Sequence, residues 1–444
     1  MIRIPRAKRK QKAPQNSLRG KKFPFQSPKG MHDILPQDFL YLEKIEKAFK
    51  KVSCFFDFLR LEPPLLEDVR LFERGTGPNS EIVQKQMFFV KSRSRSESSL
   101  VLRPEYTPGI FRAYVENGLT HSLVPAKFCY WGPVFRYEQP QRGRFRQFYQ
   151  MGFEILNTLD SVYDAQIISA VYKILAELHL KGIVVKINSI GCRSCRASYV
   201  KKLRDYYKNK SFKLCNDCLK RLKENPLRLL DCKEERCQPY KANAPQTLDY
   251  LCNNCKTHFK SVLEYLDEAK IPYLIEPTLV RGLDYYSKTV FEIFVEGEEN
   301  ALGGGGRYDY LSESLWSTKL GAAGAALGVE RVMEAMKSQK IVLSPKKEHK
   351  VFLIYMGEEA KKKAFVLMEN FFKEGILVKE SFSKESLKSQ LRQADKEGAE
   401  IALILGQREV FEEVVILRDM KSGNQETVPI EKIVPQLKKR LRFL

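Results

Sequence analysis

Two short arms between residues 134 and 156 bring together side chains that could bind and activate a ligand. Both arms have the pattern of strands, and the basic, glycine-containing loop QPQRGR joins them. Because side chains alternate across a strand, one face of the pair is apolar and the other carries a polar set. That polar set is Arg136, Glu138, Phe148, Gln150 and Glu154. A cation, two carboxylates, an amide and an aromatic ring on one face favour a binding site over an ordinary solvated sheet face.

A second group of acceptors stands at the end of another predicted strand, within residues 100–108. Glu105 and Thr107 are two positions apart, so both can face one ligand. Acceptors of this kind suit a substrate that carries an ammonium group. The alternative is a turn closed by Pro104 and Pro108, which accounts for the prolines but leaves the acid unexplained.

Two arginines outside the hairpin are candidates for an anion site. Arg281 opens the hexapeptide RGLDYY, for which a turn followed by a core aromatic pair is the alternative. Arg331 falls on one predicted helical stripe with Gly324 and Gly328, small residues that let a helix lie against a sheet. A buried arginine needs an anionic partner, either a ligand or a core carboxylate. The glycine run 303–306 lacks a following GK[ST], so it either lets backbone approach the site or forms a mobile hairpin tip.

Eight of the ten cysteines fall between residues 192 and 255, as four pairs. The pairs are Cys192/Cys195, Cys215/Cys218, Cys232/Cys237 and Cys252/Cys255. Two such pairs supply the four thiolates of a tetrahedral site, so we predict one or two structural Zn²⁺ ions, with the combination of pairs left open. Disulfides are the rival, but they are rare in a reducing cytosol. Buried thiols without a ligand would not explain the regular pairing.

The candidate residues need a framework, and the hydrophobic pattern predicts helices and strands in one chain. Apolar residues at three- and four-residue spacing predict a helix over 37–56, while 164–180 and 183–190 have the pattern of a helix and a strand. The composition then becomes rich in Lys and Cys, which indicates an inserted module at 192–270. After a charged linker at 339–347, alternating strand-like and helical runs predict a small α/β module.

Length and charge narrow the class of protein. A chain of 444 residues is long enough for two or three domains, and its formal net charge of +22 favours a polyanionic partner, nucleic acid first. Residues 1–26 are predicted to be a disordered basic arm that either touches RNA or is an inert tail. The sequence has no apolar run of 18 residues and no secretory signal, so we expect a cytoplasmic protein without a membrane span.

Three separated stretches resemble class II aminoacyl-tRNA synthetases, and their sequences are most similar to the histidyl-tRNA synthetase family of bacterial type. The hairpin FRYEQPQRGRFRQFYQMGFE resembles motif 2. Residues 279–292, LVRGLDYYSKTVFE, resemble the histidine-specific signature, and residues 324–332, GAALGVERV, resemble motif 3. The resemblance begins near Pro28 and continues to the C-terminus, and three long matches in the right order are more specific than a lone glycine motif.

The resemblance implies an α+β architecture. Residues 27–337 would form the class II antiparallel sheet flanked by helices, with the helical Cys-rich insertion at 192–270. Residues 348–444 would form an α/β anticodon-binding domain. Residues 61–77 correspond to motif 1, where class II enzymes build their dimer interface, so we expect a homodimer.

The resemblance also implies a reaction: ATP-dependent ligation of L-histidine to tRNA(His) through a histidyl-adenylate, with Mg²⁺ on the outer phosphates. The implied catalytic residues are Arg136 and Arg281. ATP would be held by Arg136, Glu138, Arg144, Phe148 and Arg331. Histidine would be held by Glu105, Thr107, Arg136, Gln150, Glu154, Arg281, Tyr285 and Tyr286, with Tyr130 as a further candidate. The tRNA acceptor end would meet Gln139, Gln141 and Arg142.

Two other functions explain part of the sequence. A histidine-sensing regulatory paralogue, of the ATP phosphoribosyltransferase regulatory subunit type, would share the fold without aminoacylation. Such proteins generally lack the C-terminal domain and lose the signature arginines, both of which this chain retains. A plain basic RNA-binding protein explains the charge and leaves the polar hairpin face unused.

Overall fold

The computed structural model describes residues 25–77, 80–91, 99–139, 143–296, 298, 300–343, 350–382 and 386–441. The chain divides into two compact units, Met1–Leu343 and Ser344–Leu444. Residues 1–24 of the expected basic arm, together with Gln141 and Arg142, lie outside the described residues. Across the described ranges, no helix combines the length and apolar character needed to cross a membrane.

The first unit is built on one large sheet with helices around it. Its helices are α1 Pro36–Phe55, α2 Val69–Thr76, α3 Thr107–Glu116, α4 Val162–Glu177, α5 Arg193–Lys208, α6 Asn216–Glu224, α7 Gln238–Ala242, α8 Asn253–Glu268, α9 Leu311–Trp316 and α10 Val329–Ser338. Its strands are β1 Leu59–Arg60, β2 Leu66–Asp68, β3 Phe88–Val90, β4 Leu100–Leu102, β5 Ala126–Phe135, β6 Gln147–Leu156, β7 Ile183–Ser189, β8 Tyr273–Ile275, β9 Ser287–Val295, β10 Gly303–Arg307 and β11 Ala322–Gly328.

The large sheet has the strand order β1-β5-β6-β11-β10-β9-β7-β8, and a small sheet has the order β2-β4-β3. From β5 through β7 every neighbouring pair in the large sheet is antiparallel, and only the two edge pairs are parallel. The expected antiparallel sheet flanked by helices is therefore confirmed.

The second unit is a smaller α/β module, as predicted. Its helices are α11 Glu358–Lys373, α12 Leu387–Glu397, α13 Gln407–Phe411 and α14 Ile433–Leu441. Its strands are β12 Val351–Tyr355, β13 Val378–Glu380, β14 Ile401–Leu405, β15 Val414–Asp419 and β16 Gln425–Pro429, in the order β13-β12-β14-β15-β16. The sequence pattern did not indicate α13 or β16, which are short and carry few apolar residues.

The alternation predicted for the second hairpin arm is confirmed in β6. Met151, Phe153 and Ile155 are buried in the main core. Helix α1 contributes to the same core through Phe49, whose ring centroid lies 5.3 Å from that of Phe153. Burying these apolar side chains on one face of β6 fixes the register of the strand, because a shift by one residue would expose the whole apolar set. The opposite face of β6 therefore points toward the ligand side of the sheet.

The first hairpin arm ends earlier than predicted. Strand β5 stops at Phe135, so Arg136 and Glu138 lie in the loop beyond the strand and not on its face. The chain leaves the large sheet here because the Tyr137 backbone N–H donates to the carbonyl of Gln86, 2.7 Å away. The prediction that these two residues lie on the strand is therefore wrong, but both side chains line the same pocket as Gln150 and Glu154, which is the side that was predicted.

The two glycine-rich stretches are both strands in the middle of the sheet. The helical stripe predicted for Gly324 and Gly328 is wrong, because these residues belong to β11 and only Arg331 is on helix α10. The hairpin-tip interpretation of residues 303–306 is also wrong, since they form most of β10. A Cβ on Gly304 would lie 2.9 Å from Nη1 of Arg281, so the alternative of close backbone approach to the site is confirmed.

The expected Cys-rich insertion is helical, with α5 to α8 joined by short 3₁₀ turns. Its last helix, α8, also belongs to the main core. Phe259, Val262 and Leu266 of α8 are buried with the residues of the large sheet. The far end of the insertion is thus packed directly against the framework that carries the site.

Candidate active site

A pocket opens on the polar face of β6, bordered by β10, β11, the segment before β9 and the loop after β5. Among its lining residues are the predicted Glu105, Thr107, Tyr130, Arg136, Glu138, Arg144, Phe148, Gln150, Glu154, Arg281, Tyr285, Tyr286 and Arg331. The sheet brings these residues together from stretches far apart in sequence. Gln139 is exposed on the loop after β5.

Two carboxylates lie at the closed end of the pocket. Glu154 is 1% exposed and accepts hydrogen bonds from Thr107, at 2.7 Å, and from the Tyr308 hydroxyl. Glu105 accepts from Thr76 at 2.8 Å and from Tyr285 at 2.9 Å. Burial raises the pKa of Glu154 to about 8, because its hydrogen bonds do not offset the lost hydration. Burial also raises the pKa of Glu105, although the nearby Arg136 opposes the shift.

Tyrosine rings form the walls around these acids. Tyr285 and Tyr286 lie side by side with ring centroids 4.7 Å apart, and both are buried. The hydroxyl of Tyr130 faces Gly152, where any Cβ would overlap it. The Oε1 atom of Gln150 is buried and has no hydrogen-bond partner among the described residues. An unpaired buried acceptor costs free energy, so it fits a ligand that donates a hydrogen bond.

Three guanidinium groups define the other end of the pocket. Arg281 forms an ion pair with Glu292, and its Nε is buried without a partner among the described residues. Arg136 donates from Nε to the carbonyl of Pro104 at 2.9 Å. Arg331 donates to the carbonyls of Gly143 and Ala301, at 3.0 and 2.8 Å. Burial lowers the pKa of Arg331, and the like charges of the neighbouring arginines lower it further.

The arginine end therefore carries more positive charge than its own carboxylates balance. The core-carboxylate alternative for Arg331 is not observed in the part of the chain described, since its side chain donates to backbone carbonyls there. Glu138 and Arg144 form a partly exposed ion pair at 3.6 Å. The Phe148 ring lies 5.5 Å from the guanidinium carbon of Arg136. An anionic ligand with a flat aromatic group suits this combination of charges and rings.

Sequence reasoning missed three groups that hold the site together. Tyr308 donates to Glu154, and Glu292 pairs with Arg281. Glu330 accepts from the backbone N–H of Tyr149 at 2.9 and 3.0 Å, which ties helix α10 to β6, and burial raises the pKa of Glu330 to about 7. Reading the glycine run as a strand would have drawn attention to Tyr308, which comes two positions after the run and directly after β10. No local pattern marked the two acids.

The paired cysteines form two separate groups of four. The first cluster is Cys192, Cys195, Cys252 and Cys255, and the second cluster is Cys215, Cys218, Cys232 and Cys237. Within each cluster all four sulfur atoms lie within 4.8 Å of one another, and all ten cysteines of the chain are free thiols. Either cluster could hold a metal ion.

Comparison with known families agrees with the geometry of the pocket. Residues 30–332 match the family described as Histidyl-tRNA synthetase, and residues 350–440 match the Anticodon binding domain. The two matches cover the first and second units of the structure almost completely.

Full-length relatives and a solved structure agree with the family matches. The chain is 40% identical over 419 residues to a histidine–tRNA ligase of Dehalococcoides mccartyi, covering 94% of this chain and all of the relative. It is 41% identical over 420 residues to that of Caldicellulosiruptor bescii, covering 94% and 99%. The apo crystal structure of S. aureus histidyl-tRNA synthetase superposes with a TM-score of 0.77 at 29% identity, covering 93% of this chain and 100% of that chain. This chain belongs to the histidyl-tRNA synthetase family of class II aminoacyl-tRNA synthetases.

Proposed function

We propose that this chain ligates L-histidine to tRNA(His) through a histidyl-adenylate, consuming ATP and releasing AMP and pyrophosphate. The observation that carries the proposal is the polarity of the pocket. Buried carboxylates and tyrosine hydroxyls lie at one end, and three arginines lie at the other. An amino acid with an ammonium group and an imidazole suits the first end, and a nucleoside triphosphate suits the second.

In the first step, the histidine carboxylate attacks the α-phosphorus of ATP, and the bond to the bridging oxygen breaks as pyrophosphate leaves. Negative charge builds up on the α-phosphate, so cations fixed there beforehand lower the barrier. Arg136 and Arg281 are assigned to this role, because both line the pocket and Arg281 has an unpaired buried Nε. No side chain acts as a covalent nucleophile; the residues position and stabilise the reacting groups.

The ATP subsite is assigned to the arginine end. Phe148 and Arg331 would enclose the adenine ring, Glu138 would accept from its amino group, and Arg144 would meet the polyphosphate. Mg²⁺ would be held mainly by phosphate oxygens and water, where it neutralises charge on the leaving group. The structure is compatible with this, since within the described ranges the only clusters of three or more potential metal ligands are the two cysteine clusters.

The histidine subsite is assigned to the closed end. Glu105 and Thr107 would hold the α-amino group, while Glu154 and Tyr286 would bond the two imidazole nitrogens. Gln150 and Tyr285 would complete the pocket, with Tyr130 behind them. A site built from hydrogen bonds rejects analogues that lack them without needing an editing domain.

Transfer to tRNA is assigned to parts outside the pocket. The loop that includes Gln139, Gln141 and Arg142 would meet the acceptor end, and the domain at 348–444 would bind the anticodon. The 3′-terminal hydroxyl of the tRNA attacks the acyl carbon of the adenylate, and AMP leaves. We further propose a homodimer built on residues 61–77 and a catalytic domain spanning 27–337.

Each cysteine cluster is proposed to bind one structural Zn²⁺ ion. A Zn–S distance of about 2.3 Å in a tetrahedron places sulfur atoms about 3.8 Å apart. The Cys192 and Cys195 sulfurs are 3.6 Å apart, and those of Cys215 and Cys232 are 3.9 Å apart, so one sulfur pair in each cluster is close to this spacing.

The regulatory paralogue is the competing function, and the C-terminal domain of the chain argues against it. The match to an anticodon-binding domain and relatives that align over their whole length favour a synthetase. Charging of a tRNA(His) transcript with labelled histidine tests the proposal directly. We expect histidyl-tRNA to accumulate with tRNA(His) and not with a tRNA(Pro) transcript. Absence of charging by protein that binds both histidine and ATP would support the paralogue instead.

A further inference from the structure

The two cysteine clusters each join segments of the insertion that are far apart in sequence, the second among buried residues such as Leu214, Leu229 and Leu230. The first cluster links the start of α5 to the start of α8, and the hydrophobic residues packed with it are Leu251 and Leu248. The second cluster links the start of α6 to the segment before the short helix at 235–237 and to the last residue of that helix, Cys237. A metal ion in each cluster would fix these segments in place, because thiols alone contribute few contacts.

Arg196 follows the first cluster directly and reaches the active site. It is on helix α5, next to Cys195, and donates from Nη1 to the carbonyl of Asp284 at 3.3 Å. Its other terminal nitrogen donates to the carbonyl of Tyr286. Two backbone carbonyls of the histidine-signature stretch are therefore held by one side chain of the insertion.

Asn225 and Arg228 reach the same stretch from the chain between Cys218 and Cys232. The Asn225 side chain donates to the Asp284 carboxylate at 2.8 Å, and Nη1 of Arg228 donates to the carbonyl of Gly282 at 3.2 Å. Arg228 is buried and is itself held by Glu81 at 3.2 Å. These contacts come from the segment whose two ends are joined by the second cluster.

The stretch they hold is the one that most needs support. Residues 282–286 lie outside every helix and strand, yet they fix the directions of Arg281, Tyr285 and Tyr286 in the pocket. In a helix or a strand, backbone hydrogen bonds would orient such a segment. Because residues 282–286 lack this regular structure, side chains of the insertion hold them instead. A loop can hold catalytic groups in a defined geometry only if the contacts that support the loop are themselves rigid.

We infer that the two cysteine clusters, each holding a metal ion, keep Arg196, Asn225 and Arg228 in place as positioning residues for the 281–286 segment. The inference rests on the proposed function, since it makes histidine activation depend on the insertion even when no tRNA is present. If the insertion served only to grip tRNA, its metal sites and these three side chains would affect charging and leave adenylate formation unchanged.

The test measures ATP–pyrophosphate exchange without tRNA, using the full-length chain. Asn225→Ala and Arg228→Ala should lower exchange about tenfold, the effect of losing one hydrogen bond of about 1.4 kcal/mol. The loss should appear in kcat and in the KM for histidine, with the KM for ATP little changed. The matched controls Asn243→Ala and Arg204→Ala, whose side chains bond within the insertion to Pro239 and Lys223, should remain at the parent rate.

Two further measurements separate positioning from folding. Both variants should retain two equivalents of zinc, and amide hydrogen exchange should speed up in the peptide covering residues 281–290. Arg228→Lys should recover part of the exchange activity, because its ammonium can donate to the Gly282 carbonyl. Removing zinc from the parent with a chelator should produce the same faster amide exchange, and adding zinc back should reverse it.

Pyrophosphate exchange within twofold of the parent in both alanine variants, with impaired tRNA charging, would overturn the inference. Unchanged amide exchange at 281–290 after zinc removal would also overturn it. A parent protein that shows no histidine-dependent exchange would instead refute the proposed function, so the two failures are distinguishable.

Discussion

Replacing Glu154 with glutamine tests the histidine subsite with the least change in shape. The carboxylate is buried and is an acceptor for both Thr107 and Tyr308. An imidazole N–H bound at the same carboxylate would be a third donor to it. The amide of Glu154→Gln keeps the size of the group, but it removes the charge and puts a donor where the site needs an acceptor.

The expected size of the effect follows from the burial of this group. Above pH 8 the Glu154 carboxyl is ionised, because its pKa is about 8, so exchange is measured there. A hydrogen bond to a charged partner contributes about 1.5–3 kcal/mol, which corresponds to about a 10- to 150-fold change in an equilibrium constant. Since Glu154 is 1% exposed, solvent does not screen the interaction appreciably, and we expect a loss within this range. The loss should appear in the KM for histidine, because the carboxylate is at the closed end of the pocket, opposite the arginines.

Steady-state pyrophosphate exchange, with histidine and ATP varied separately, measures this prediction. Glu138→Gln is the reciprocal control: it should raise the KM for ATP about 2- to 10-fold, as expected for one partly exposed hydrogen bond, and leave the KM for histidine unchanged. Equal increases of both constants in Glu154→Gln, or an unchanged KM for histidine, would refute the assignment of Glu154 to the imidazole.

Four other predictions follow from the same geometry. Arg281→Ala should lower the rate of adenylate formation about 100- to 1,000-fold, with a smaller effect on the KM for ATP, and near-normal turnover would contradict its role. The pKa of Glu154 is about 8 in the folded protein and near 4.5 in the unfolded chain. The stability that the protonated carboxyl contributes is therefore lost as pH rises toward and through 8. The melting temperature of the apo protein should consequently fall less from pH 6 to 9 in Glu154→Gln than in the parent. Deletion from Lys347 onward should leave exchange largely intact and abolish most tRNA charging, whereas undiminished charging would reassign the second unit. Protein purified without chelator should contain two equivalents of zinc, and less than about half an equivalent, with eight freely titratable thiols, would exclude the metal sites.

The sequence predicted best where local pattern and burial coincide. Strand β6 alternates between core and pocket because Met151, Phe153 and Ile155 must be buried together, and this leaves Gln150 and Glu154 on the ligand side. Period-two patterning therefore identified both the strand and its polar face.

Features that depend on contacts distant in sequence were not predictable in the same way. Strand β5 ends at Phe135 because Tyr137 bonds to Gln86, about fifty residues earlier, and nothing local marks that end. Glu292 is on β9 and Arg281 is in the loop before it, so their ion pair depends on how that loop folds back along the strand. The combination of cysteine pairs was likewise open, since four pairs can combine in three ways and only the fold selects the first with the fourth.

The glycine-rich stretches misled for a different reason. Gly324, Gly328 and Arg331 have the sequence spacing of one helical face, and this spacing suggested a helix. Gly324 has no side chain whose packing could have indicated a strand instead. In the fold, Gly324 is opposite Glu154 in the sheet, and a Cβ there would overlap the carboxylate. The glycine is required by the site, and local propensity does not report such a requirement.

The central claim is that this pocket activates histidine, and ATP–pyrophosphate exchange measured with each of the twenty amino acids tests it most directly. The account predicts rapid exchange with histidine and none above background with glutamine, asparagine or proline, because it assigns Glu154 and Tyr286 to the two nitrogens of an imidazole ring. Exchange that is equally fast with another amino acid, or absent with histidine in protein that binds ATP, would contradict it.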